Sequence, residues 1–153
     1  MHASKALLLL SLLTPALPAC LTEIGPDTCD RSLKGNPPVA YTEGSVDNGV
    51  YMTSGWDEEL LYFPGGMRYT LIHELGETPR FWQAYLSFNQ TGTKNTSSDP
   101  EDPERGTLAL AAGNQVELTE ANETSLTVVN GSCVDYWLLV VASTGALASG
   151  AEP

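Results

Sequence analysis

The sequence predicts an all-β fold: an antiparallel β-sandwich of about seven or eight short strands. Three observations lead there. Short apolar stretches recur between turn residues from Val39 onward. Several alternate apolar with polar positions or are rich in aromatic and β-branched residues, the period-two signature of strands. No segment keeps a helical period for more than about two turns, and no internal repeat is visible.

The N-terminus reads as an address, not as fold. Residues 1–19, MHASKALLLLSLLTPALPA, place Lys5 ahead of a short apolar run, Ala6 to Leu13. A membrane-spanning helix needs about 20 apolar residues, whereas a signal peptide core is about this short. Pro15 and Pro18 follow at once and break a helix. Residues 20–40 come next. From Leu21 to Pro38 the chain holds Gly25, Pro26, Gly35, Pro37 and Pro38 with few apolar residues, the composition of a tether or loosely packed arm.

A sandwich domain is expected over residues 41–143. Asn48-Gly49 inside GSVDNGVYMTSG is a strong turn dipeptide. LLYFPGG ends in Pro64-Gly65-Gly66, a second turn, and MRYTLIH, Met67 to His73, follows as a strand. In RFWQAYLSF, Trp82, Ala84, Leu86 and Phe88 share one predicted face. Asn89 to Gly106 is a long polar loop, after which GTLALAAG, NQVEL, TSLTVVN and CVDYWLLVVAS supply the remaining strands. In the last of these Tyr136, Leu138 and Val140 alternate with Trp137, Leu139 and Val141, so both faces are apolar and the strand should be central. Residues 144–153 form a Gly/Ala-rich tail expected to fray.

Composition bounds the function. The 153 residues suit one compact domain, and 42% hydrophobic content supports a core. Nineteen acidic residues against seven basic ones give a formal charge of -12, and no basic patch exists. Nucleic acid is therefore not an expected partner.

Three cysteines are an odd number for an exported chain. Leu17-Pro18-Ala19-Cys20 resembles the lipobox of bacterial lipoproteins, with Leu, a variable position, a small residue and then Cys. The resemblance implies that Cys20 carries a lipid and anchors the protein at a bacterial outer membrane or cell surface. Cys29 and Cys133 then remain to pair as a disulfide in an oxidising compartment.

YTLIHELGETPRFW raises the question of a zinc protease. H-E-x-x-H places two His on one helical face to hold one zinc. Here the fifth position is Glu77, Gly76 and Pro79 oppose a helix, and the only other His is His2 in the leader. No metal and no cofactor is expected. His73 is instead expected to be a hydrogen-bonded residue at a strand end, with Gly76 at positive φ and Pro79 fixing the entry to the next strand.

The pattern His73, Leu75, Gly76, Pro79 followed by a strand resembles β-sandwich modules of phage tail fibres and H-type-lectin-like domains. Asn130, Cys133 and Tyr136, an N-x-x-C-x-x-Y segment, are similar to a late segment of secreted bacterial lipoproteins. Together these resemblances imply a fold, roughly over Val46 to Ala142, within ordinary boundary error. Fold alone does not imply function.

The expected function is a non-catalytic, extracytoplasmic binding or surface-structural module, with a carbohydrate or a surface protein as ligand. Trp56, Asp57, Tyr62 and His73 are its candidate ligand-binding residues. The alternative is a small hydrolase that uses His73 and nearby carboxylates. Asp99, Glu101, Asp102 and Glu104 lack the order of a calcium loop, and Pro100 and Pro103 stiffen them. Asn89, Asn95, Asn122 and Asn130 each begin N-x-[ST]. In a bacterial lipoprotein these read as turn residues and not as glycan acceptors.

Overall fold

The computed structural model describes residues 29–92 and 108–145. The expected signal peptide, Cys20, most of the polar loop and the tail after residue 145 lie outside them. Two sheets pack face to face in an all-β sandwich, with ten strands among the described residues. The strands are β1 (Val39–Tyr41), β2 (Ser45–Asp47), β3 (Val50–Met52), β4 (Leu61–Phe63), β5 (Arg68–Ile72), β6 (Phe81–Ser87), β7 (Ala109–Leu110), β8 (Val116–Ala121), β9 (Ser125–Asn130) and β10 (Tyr136–Ser143). One sheet runs β1-β5-β9-β8; the other runs β2-β3-β10-β6-β7, with β4 also on β10.

The fold class is as expected, with two differences in detail. The strand count is higher because several strands have only two or three residues. The pairing is also not wholly antiparallel: β1 runs parallel to β5, with Val39 opposite Tyr69. A three-residue edge strand arriving from a long arm can join in either direction, and mixed sheets of this kind are common.

Turn chemistry sets the register where the chain reverses. Asn48 and Gly49 both adopt positive φ, 49° and 77°, and close the β2–β3 hairpin as a two-residue turn. Gly66, at φ 76°, turns the chain from β4 into β5. At β6 one expectation fails. Ala84 and Leu86 are buried, but Phe88 is 78% exposed. The strand ends at Ser87, whose hydroxyl accepts the Asn89 N–H and turns the chain outward before Phe88 can continue the ladder.

β10 is the central strand, and both its faces are buried. Leu138, Val140 and Ala142 enter the main core between the sheets with Tyr51, Phe63, Leu71, Leu126 and Val128. Leu139 and Val141 enter a smaller cluster on the opposite face. On one side β10 pairs with all of β6. On the other, β4 covers Tyr136–Leu138 and β3 covers Val141–Ser143. Buried Thr53 fills the gap between them: its N–H donates to Val140 O at 3.1 Å and its Oγ1 accepts the Val140 N–H at 3.0 Å. Both main-chain groups of Val140 are thereby paired.

Much of the expected tether is docked on the domain. Cys29 and Cys133 form a disulfide with a Cα separation of 5.2 Å, and β1 begins at Val39. Arg31 Nη1 donates to Gly131 O, and Arg68 Nη2 donates to Arg31 O at 3.3 Å. The bridge spans a sequence separation of 104, worth about 4.7 kcal/mol in the chain-entropy account. Reduction, or the pair Cys29→Ser and Cys133→Ser, should therefore lower the unfolding free energy by several kcal/mol and the urea midpoint with it. Equal urea midpoints with and without reductant would contradict this.

Candidate functional site

The outer face of the six-stranded sheet carries an aromatic group. Tyr62 on β4 stands opposite Trp137 on β10, with ring centroids 5.0 Å apart. Trp56, in the loop before β4, meets Tyr85 of β6 edge to face at 5.0 Å. Trp56, Tyr85 and Trp137 pack on the Leu60–Leu139–Val141 cluster, so each ring has one apolar side supported. Tyr62 is 44% exposed, and the other three rings are partly exposed.

A hydrogen-bonded clasp fixes this face at the β4 end. Asp135 Oδ2 accepts the Tyr62 hydroxyl at 2.8 Å, and its Oδ1 accepts the Gly65 N–H at 2.8 Å. The Gly65 amide, and after it the Tyr62 hydroxyl, hold the Asp135 carboxyl below the usual aspartate value. The same contact raises the Tyr62 hydroxyl above its ordinary value. Gly65 is needed for close approach: a Cβ there would lie 2.8 Å from the Cys133 backbone.

Of the four candidate ligand residues, two share this face. Trp56 and Tyr62 lie on it, each against a different ring. Asp57 is exposed in the adjoining acidic turn, where Glu58 Oε2 accepts the Gly55 N–H at 2.9 Å. His73 lies apart from them. It is wholly buried on the inner side of the other sheet, so no ligand on the aromatic face reaches it. Its Nδ1 accepts the Leu75 N–H at 3.2 Å, which leaves Nε2 to donate to Asn122 O at 3.1 Å. Tyr51 meets the ring edge-on at 6.1 Å. The chain wraps His73 by placing Glu74 and Gly76 at positive φ, 47° and 75°. The HELG motif is thus a turn built around an imidazole. A ring with both nitrogens engaged by the main chain has no free lone pair for general-base chemistry.

Sequence reasoning did not single out Trp137 and Tyr85 for the site. The alternation of β10 does group Trp137 with Leu139 and Val141, but it does not say which face meets the second sheet. The Asn-x-Ser/Thr segments that are described all form side-chain turns. Asn89, Asn122 and Asn130 each accept the N–H and hydroxyl of the residue two positions on through Oδ1. Asn95 lies outside the described residues, as do Asp99, Glu101, Asp102 and Glu104. Among the described residues no three His, Cys, Asp or Glu side chains gather as a metal site. Compared with family models, curated proteins and solved structures, the chain matches none.

Two outcomes are expected. His73→Ala removes a fully buried ring and two hydrogen bonds, and should cost about 2–5 kcal/mol. Gly76→Ala should cost about 1–2 kcal/mol through backbone strain alone, since a Cβ there meets nothing. Urea denaturation of both variants ranks them, and the opposite order would remove His73 as a fold anchor.

The second outcome concerns pH. A carboxyl depressed on folding contributes stability above its unfolded pKa and loses it as pH falls through the folded value. Asp135 acts in this sense, and so does Asp30, lowered by the Ser32 hydroxyl and amide. The melting temperature should therefore fall on acidification through the aspartate range, and less steeply for Asp135→Asn. Parallel melting curves would show that the clasp adds no pH dependence.

Proposed function

We propose that the protein is an exported, lipid-anchored module that binds a carbohydrate, without catalysis, through the outer aromatic face of its six-stranded sheet. The observation that carries this reading is the group of four rings, Tyr62, Trp137, Trp56 and Tyr85, three of them packed on the Leu60–Leu139–Val141 cluster and Tyr62 almost half exposed. Partly exposed aromatic faces beside polar groups suit sugars, whose C–H faces stack on rings while their hydroxyls need partners. Asp57 and the Asp135 clasp place carboxylates near these rings.

Export is supported by the Cys29–Cys133 disulfide, a bond that persists in oxidising compartments. Anchoring rests on the lipobox-like Leu17 to Cys20, and among the described residues no helix is long and apolar enough to cross a membrane. The non-catalytic reading rests on His73. A hydrolase using it would need the imidazole at a substrate, but the ring is sealed in the core with both nitrogens engaged.

Screening the full chain on a glycan array, alongside Tyr62→Ala and Trp137→Ala, tests the ligand. Binding should be at least tenfold weaker in both variants. No glycan bound, or equal binding by the variants, would remove the carbohydrate. Cell fractionation of Cys20→Ala tests the anchor independently: the variant should move from the membrane to the soluble fraction, and an unchanged distribution would reject lipidation.

A further inference from the structure

Among the described residues the sandwich is open along one edge. A cleft of about 570 Å³ lies between β6 of one sheet and β8 of the other. Its walls include Trp82, Ala84, Leu110, Ala111, Val116 and Leu118. Ala84 and Val116 belong to the main core, and Trp82, Ala111 and Leu118 pack on it only partly buried. The cleft therefore opens onto the side of the core that a further strand would cover.

Both walls are strand edges. Thr53 N–H donates to Val140 O, which directs the even residues of β10 toward β3 and the odd ones toward β6. The β6 partners of those odd residues are Phe81, Gln83, Tyr85 and Ser87. Trp82, Ala84 and Leu86 must then direct their N–H and C=O away from β10. Ala84 O accepts the Ala111 N–H, in keeping with this. Among the described residues β7 pairs with β6 at Tyr85 and Leu86, and the Trp82 main chain faces the cleft beyond its end. On the other wall, Gly131 N–H donates to Gln115 O, which turns Glu117 toward β9 and Leu118 outward. Two main-chain edges thus flank an apolar floor, the arrangement by which extended peptides are taken up as an added strand.

Charge selects the occupant. Glu117 lines the cleft and Glu120 lies exposed further along β8, on a chain of net charge -12. Arg31 approaches Glu117 only at 3.8 Å, in a pair half exposed on both sides. A second copy pairing β8 with β8 would bring these carboxylates together, and like charges at an edge oppose such pairing. A basic strand meets no such opposition. We infer that this cleft binds an extended cationic peptide of a partner protein, with apolar side chains at every second position facing the floor and Lys or Arg between them. This site is separate from the aromatic face and does not depend on the carbohydrate reading.

The test uses the full chain and the peptide Lys-Val-Lys-Val-Lys-Val-Lys, read by isothermal titration calorimetry. The expected result is saturable one-to-one binding, lost when the peptide amides are N-methylated. It should also be at least tenfold weaker for Lys-Lys-Lys-Val-Val-Val-Lys, which keeps composition but breaks alternation. Gly113→Arg places a cation at the cleft, at a position where a Cβ meets nothing, so the fold should tolerate it. It should weaken binding at least tenfold, whereas Tyr62→Ala on the aromatic face should leave it unchanged. No binding, equal binding of the scrambled or N-methylated peptide, or indifference to Gly113→Arg would overturn the inference. A response to Tyr62→Ala with none to Gly113→Arg would place the peptide on the aromatic face and equally overturn it.

Discussion

The buried side chain of Asn130 holds the two sheets in one arrangement. It sits at the end of β9 with no exposure, and its amide makes four hydrogen bonds. Nδ2 donates to Phe63 O on the opposite sheet and to Val134 O, each at 2.9 Å. Oδ1 accepts the Ser132 N–H and hydroxyl. An amide has two donor hydrogens and two acceptor lone pairs, so its capacity is filled. A buried polar group with every bond satisfied specifies geometry as hydrophobic contact cannot, because any shift of one sheet leaves a group unpaired.

The rest of that end of the molecule builds on this fixed connection. Residues 131–135 join β9 to β10, and the disulfide, the Arg31 contact to Gly131 and the Asp135 clasp all attach to them. Gly66 N–H donates to Ser132 O on the same segment. The N-terminal arm, the β4–β5 turn and the start of β10 are thereby held together. Asn130, Cys133 and Tyr136, which form one sequence motif, act here as bridge amide, disulfide partner and first residue of the central strand.

This rigid end also carries the surface on which the functional reading rests. Tyr62 and Trp137 are neighbours because β4 pairs with β10, and β4 is held in place partly through Phe63 O and the Tyr62 hydroxyl. Rings preorganised by packing and hydrogen bonds lose little freedom on binding a ligand. The edge along β7 and β8 is built differently. There β7 is two residues long, β8 carries a register shift between Leu118 and Glu120, and among the described residues no strand joins β8 to the six-stranded sheet. The Asn130 region thus adjoins both the outer aromatic face and the β8 edge, since Val116 on that edge stands opposite Asn130.

The sequence by itself determined what adjacent residues can encode. Asn48-Gly49 and Gly76 were legible because positive φ is a local backbone property. The double apolar alternation of Tyr136 to Val141 announced a central strand, since both faces of that strand are buried wherever it pairs. Cysteine count pointed to the Cys29–Cys133 bridge once Cys20 was set aside. Only the tertiary structure decided which face of β10 meets the second sheet, and so that Trp137 and Tyr85 join Tyr62 and Trp56. It also decided that His73 is sealed inside, that β1 joins in parallel, and that Phe88 leaves its strand. Each of these depends on partners distant along the chain, whose approach is selected by packing and hydrogen-bond satisfaction across the whole core and leaves no periodic mark on neighbouring residues.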